Sequence, residues 1–178
     1  VPVLYSKNYY FVRQHLPELY TGGFLSPAWP RLVARTPDAP EFTDWSVIVD
    51  LSGSSGVVSD AEVVRPYKYA QRILRWEVDD GVPLPMELFD AVWALWTTRR
   101  LGAKDGEPTP VLIQCAAGLS RSASVCAAIL QRELGISHAD ASARVMSTYN
   151  DVQYPLPQPL ASAGNWAANF RGELSQKD

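Results

Sequence analysis

The chain has 178 residues, 47% of them hydrophobic and 20% charged, with a net charge of −3. That is ordinary for a single globular domain spanning 1–178 and enough chain to bury a real core. The slightly acidic balance argues against a nucleic-acid or anionic-membrane partner, and no apolar run approaches the roughly 18 residues that cross a bilayer.

The first residues, Val1-Pro2-Val3-Leu4-Tyr5, lack the basic start and long apolar stretch of a signal peptide. Apolar, β-rich runs then predict strands at Glu18–Phe24, Trp45–Leu51 and Ile73–Val78, separated by turn-rich segments at Arg35–Asp44 and Ser52–Asp60. Met86, Phe89, Val92, Trp93 and Trp96 recur at steps of three and four and predict a helix, with Pro85 suited to its first turn. Gly102–Pro110 is a further turn. Val111–Gln114 is short and continuously apolar until its last residue, as a strand buried on both faces is. Leu119–Leu134 reads as a helix of small and apolar residues closed by Gly135. Ser137 with Asp140 resembles a capping box, opening a helix that carries Ala143, Met146 and Tyr149, and a last helix is expected over about Gln158–Arg171. Strands interleaved with helices predict an α/β sheet covered on both faces.

The densest chemistry lies in Gln114-Cys115-Ala116-Ala117-Gly118-Leu119-Ser120-Arg121-Ser122, between the last strand and the small-residue helix. Arg121 falls in the first turn of that helix, where the dipole already supplies about half a positive charge, so an arginine there calls for an anion. Its planar fork can donate two parallel hydrogen bonds to phosphate oxygens. Gly118 permits the tight turn that aims backbone amides inward, so Ala116, Ala117, Gly118, Leu119 and Ser120 can ring a phosphate. Cys115 stands at the C-terminal end of a buried strand, where open α/β sheets form their ligand crevices, and the same positive surroundings favour its thiolate. The Ser122 hydroxyl can donate to the sulfur as it leaves a phosphocysteine. Cys115 and Cys126 make a poor disulfide framework, which predicts reduced thiols and a cytoplasmic setting. Cys126 reads as a buried packing residue, and His15 and His138 as surface or packing residues. No cluster of metal-ligand spacing exists, so neither a metal nor another cofactor is expected. No feature marks an oligomeric state.

With these residues in place, the chain resembles the dual-specificity branch of the cysteine-dependent protein phosphatases, whose signature reads His-Cys-x-x-Gly-x-x-Arg-Ser. Cys115, Ala117, Gly118, Ser120, Arg121 and Ser122 match it, and a looser likeness runs from about residue 19 to 170. Gln114 departs from it, standing where the family carries histidine; glutamine donates hydrogen bonds but carries no charge. The resemblance implies a central, mostly parallel sheet of four to five strands flanked by helices. It implies hydrolysis of phosphate monoesters on phosphotyrosine, with phosphoserine and phosphothreonine admitted by a shallow cleft, through a phosphocysteine intermediate. A phosphorylated protein or peptide is then the partner. It also implies an aspartate acid on the loop after an upstream strand: Asp80 by position, with Asp79 the alternative. Neighbouring residues of extended chain face opposite ways, so one of the two faces the cysteine.

Two rival readings differ in class. A phosphate-binding module without turnover is favoured by Gln114 and opposed by the intact Cys115 and Arg121. A serine hydrolase needs glycine where Ser122 stands and a suitably placed histidine, which His138 is not.

Overall fold

The computed structural model describes residues 11–23, 31–32, 45–52, 70–79, 81–115, 120–149 and 159–175. Among them, six strands make one sheet: Phe11–Leu16 (β1), Leu19–Gly22 (β2), Arg31–Leu32 (β3), Trp45–Asp50 (β4), Ala70–Arg75 (β5) and Val111–Gln114 (β6), in the spatial order β3-β1-β2-β6-β4-β5. Only the β1–β2 pair is antiparallel; β2, β6, β4 and β5 run parallel side by side. The sheet is therefore mixed but mostly parallel and flanked by helices, as the alternation of elements predicts.

β4 and β6 are buried at every residue, which explains their unbroken apolar runs. β1 left no such mark. Phe11-Val12-Arg13-Gln14-His15-Leu16 carries three polar residues in a row, although its Arg13 is only 3% exposed. β5 ends earlier than the Ile73–Val78 run implies. Trp76 N still bonds to Asp50 O at 2.9 Å, but the Val78 carbonyl is taken by a side chain of the crevice rather than by the ladder.

Four helices are described: Met86–Thr97 (α1), Arg121–Leu134 (α2), His138–Ser147 (α3) and Ala161–Ser175 (α4). Pro85 stands at the N-cap of α1, one position ahead of the first turn, and the buried face is Leu88, Phe89, Val92 and Trp96, with Met86 exposed. α2 is the central helix, buried continuously from Arg121 to Gln131, and Gly135 closes it in the left-handed region at φ 65°. Its small residues Ala123, Ser124, Ala127 and Ala128 let α3 and α4 pack closely. Ser137 Oγ accepts the Asp140 amide at 3.1 Å and caps α3, which stops at Ser147, short of Tyr149.

Buried apolar residues form two clusters. The larger joins Leu19, Val49, Val111, Ile113 and Cys115 to residues of α1–α4. The smaller, on the opposite face, holds Val12, Tyr20, Trp45, Ile48 and Leu112. Alternation along β6 therefore sends Cys115 toward α2 and Gln114 the other way.

Candidate active site

The C-terminal ends of the parallel strands meet the N-terminus of α2, and the sequence-predicted residues that are described gather there. Cys115 follows β6 directly, is 2% exposed, and its amide bonds to Gly22 O at 3.2 Å. Its Sγ lies 3.3 Å from Ser122 Oγ. Ser120 is the N-cap residue of α2; its carbonyl accepts from both Ser124 N and Ser124 Oγ at 2.9 Å.

Arg121 opens α2 and is buried. Its Nη1 donates to Leu51 O at 3.1 Å and to Val78 O at 3.0 Å. Leu51 follows β4, and its own amide bonds to Gln114 O at 2.8 Å. One guanidinium thus joins the ends of three chain segments: β4, β6 with α2, and the stretch leaving β5. A cation held at a helix N-terminus raises the positive potential around it. Asp79, one residue beyond Val78, is exposed. Asp80, Ala116, Ala117, Gly118 and Leu119 lie outside the described residues.

Solved structures share this architecture. The human tyrosine phosphatase-like serine/threonine/tyrosine-interacting protein is 17% identical, with a TM-score of 0.61, and the match covers 93% of this chain and 98% of that one. DUSP15 is 19% identical with a TM-score of 0.57 over 94% of this chain and 92% of its own. A mouse putative dual specificity phosphatase complexed with zinc tungstate is 22% identical with a TM-score of 0.59 over 93% and 91%. The chain has the fold of these phosphatases. No protein-family model matches the sequence, and neither does any curated protein sequence.

Within this phosphatase fold, Gln114 is 2% exposed, between Gly22 and Asp50 in the sheet register. Its Oε1 has no hydrogen-bond partner among the described residues. Asp50 is also buried, its Oδ1 accepting from Ser52 N at 2.9 Å and from Ser52 Oγ. Cys126 is fully buried on α2, and burial pushes its thiol well above the ordinary range. His138 packs near α4, with Nδ1 3.3 Å from Gln131 Nε2. His15 Nε2 lies 2.7 Å from Thr21 Oγ1. Among the described residues there is no group of three or more metal-ligating side chains, and no helix long and apolar enough to cross a membrane.

Sequence reasoning passed over two contributors. Ser124 is fully buried; besides bonding Ser120 O, its Oγ accepts the Leu160 amide at 3.0 Å, tying the chain ahead of α4 to the first turn of α2. The only signal was a serine on the buried face of an otherwise small and apolar helix. Tyr149, read as helix face, instead lies past the end of α3 and enters the larger core.

Proposed function

We propose that the chain is a metal-independent, cysteine-dependent protein phosphatase that hydrolyses phosphate monoesters through a phosphocysteine. The observation that carries this is the Cys115 sulfur set 3.3 Å from the Ser122 hydroxyl at the mouth of a helix whose first residue is Arg121. A nucleophile, a donor for its departure and an anion-binding cation converge there.

In the first step the Cys115 thiolate attacks phosphorus in line with the ester oxygen. The sulfur–phosphorus bond forms, the phosphorus–oxygen bond breaks, and Asp80 protonates the leaving oxygen. Water then attacks the phosphocysteine, giving its proton to the Asp80 carboxylate. Phosphate is released, and the Ser122 hydroxyl donates to the departing sulfur. Arg121 and the amides of 116–120 hold the three equatorial oxygens throughout, so most of the acceleration comes from positioning and fixed charge complementarity. Between Cys115 and Arg121 the loop holds no lysine, which suits a singly phosphorylated protein side chain: phosphotyrosine, with phosphoserine and phosphothreonine. A mechanism that needs a free thiolate fits a reducing compartment such as the cytoplasm.

Phosphate release from an aryl phosphate and from a phosphopeptide panel, with and without chelator, tests the reading. Turnover is expected to be indifferent to chelator and to vanish in Cys115→Ser while phosphate-ligand binding persists. Near-normal turnover in that variant would sink the mechanism. Asp80→Asn is expected to slow alkyl phosphates more than aryl ones, whose leaving groups need less protonation; the same pattern at Asp79→Asn alone transfers the acid role. One observation favours a phosphoprotein-binding module without turnover. Gln114 carries no charge and points away from Cys115, so tight phosphopeptide binding without phosphate release by the unaltered protein would select that reading.

A further inference from the structure

The two edges of the described sheet differ. β3 is two residues long, and an edge that short offers little to pair with. β5 forms the other edge, six residues in the ladder and extended beyond it: burial alternates without a break from Arg72 to Asp79. The even-numbered residues turn inward, where Leu74, Trp76 and Val78 pack against the larger core. The odd-numbered ones turn out. Ile73 is 40% exposed, and the side chains of Arg75 and Glu77 are 48% and 63% exposed. Backbone directions follow the same parity. Trp76 N bonds to Asp50 O of β4, so the N–H and C=O groups of Ile73, Arg75 and Glu77 point away from the sheet. Among the described residues, none of these outward groups has a hydrogen-bond partner.

Proteins guard an edge of this length with proline, a bulge or like charges that repel a second strand. Residues 70–79 contain no proline, and β5 pairs with β4 without a shift of register. The exposed charges are of opposite sign and stand two residues apart on one face. Within the chain Arg75 Nη2 and Glu77 Oε1 meet only at 4.0 Å. An exposed pair of that kind contributes little, so little is lost when each group takes a new partner.

We propose that the outer edge of β5 is a docking surface for a second copy of this chain, which adds its own β5 antiparallel across a two-fold axis beside Trp76. The Arg-x-Glu order is what points to a second copy. A two-fold needs opposite charges placed symmetrically about its axis, whereas an unrelated strand needs only bare backbone. In this register Arg75 of each copy stands opposite Glu77 of the other. Both positions present outward backbone groups, so each pair exchanges two backbone hydrogen bonds and sets opposite charges face to face. Sliding the axis by one residue, to Arg75, sets arginine against arginine, which like-charge repulsion disfavours. Ile73 then lies opposite Asp79 of the second copy, at the ends of the paired stretch, where the carboxylate keeps its water. Pairing joins the two sheets into one and covers the exposed Ile73 backbone.

Sedimentation velocity of the full chain from about 1 to about 300 μM tests this without reference to turnover. A dimer with a dissociation constant of about 10–100 μM is expected, as suits an interface below the standard size, and it is expected to weaken as salt is raised. Arg75→Glu sets glutamate against glutamate twice and is expected to weaken the dimer about 30-fold. Glu77→Arg sets arginine against arginine and is expected to do the same. An equimolar mixture of the two variants, and the double variant Arg75→Glu with Glu77→Arg, each restore both ion pairs and are expected to dimerise as the wild type does. All four positions changed or paired are exposed, and a thermal melt of each variant checks that it folds. A wild-type protein that stays monomeric to 300 μM overturns the proposal, as does a dimer indifferent to Arg75→Glu. Loss of the dimer in both single variants with no recovery in the mixture or the double variant overturns it too, because the charges then act elsewhere than across the axis.

Discussion

The two ends of the parallel strands are built from opposite chemistry. At the N-terminal end, Glu18 ahead of β2 reaches Thr109 ahead of β6. Its carboxylate accepts from the Thr109 amide and from Thr109 Oγ1 at 2.7 Å, and stands 3.4 Å from Arg99 Nη2 and 3.5 Å from Arg100 Nη1. Burial opposes the charge, but the two Thr109 hydrogen bonds and the two cations outweigh it and hold the carboxyl below its usual range. At the C-terminal end the residue placed against the α2 dipole is a cation, Arg121, anchored on two backbone carbonyls. The nearest buried acid, Asp50, turns instead to Ser52. One end closes a carboxylate onto matching charges; the other sets a cation at the N-terminus of α2, where β6 runs into a buried thiol. The closed end serves stability, and under the proposed function the charged end is the one that takes an anion from outside.

The sharpest way to break this comparison is Arg121→Lys. A lysine keeps the charge but loses the planar fork and cannot hold both carbonyls and two phosphate oxygens in one plane. We expect kcat/KM on an aryl phosphate to fall about 100-fold, with a much smaller change in thermal stability. Steady-state kinetics beside a thermal melt checks it. A stability loss that matched the activity loss would make Arg121 a structural tie like those at the opposite end.

A smaller effect is expected at Ser124, which links the crevice to the rest of the helical layer. Ser124→Ala removes the acceptor of the Leu160 amide and the donor to Ser120 O. The loss is expected to be about 1 kcal/mol, because a part-buried amide is left without its partner. Urea denaturation measures it, and activity is expected to fall by less than in Arg121→Lys. A variant as stable as the wild type would show that the clip contributes nothing.

What was legible in the sequence follows the same divide. β4 and β6 were readable because strands buried on both faces must be apolar throughout, and Gly135 and the Ser137–Asp140 cap fixed helix boundaries by local chemistry alone. Cys115, Arg121 and Ser122 could be singled out because their spacing is local and their residue types fit poorly with plain packing. β1 was not legible: its run of Arg13, Gln14 and His15 breaks any apolar pattern, and the Tyr149 ring and Thr148 carbonyl that meet the buried Arg13 lie far along the chain. Ser124 and the Arg121 latch on Leu51 and Val78 were hidden for the same reason. Their partners are backbone groups, which carry no sequence signature. Asp80 and the loop 116–119 lie outside the described residues, so their roles rest on the signature and on the geometry at either side of them.

The smallest expected effect belongs to the closed end. Glu18→Gln keeps the shape and removes the charge, and near neutral pH it is expected to cost about 1 kcal/mol after allowing for solvent around a partly exposed group. Because the folded carboxyl titrates below its unfolded value, its contribution is complete above the ordinary carboxylate range. It is lost as pH falls through the folded value. The gap between wild type and Glu18→Gln is therefore expected to close on acidification, and urea titrations at descending pH read it directly. Among the described residues, Glu18 has no hydrogen bond or ion pair with Cys115, Arg121 or Ser122, so kcat/KM is expected to stay at the wild-type level. An activity loss in a well-folded Glu18→Gln protein would mean that strain at the foot of β2 and β6 is passed along them to Gly22 and Cys115, and the two ends could no longer be treated as separate devices.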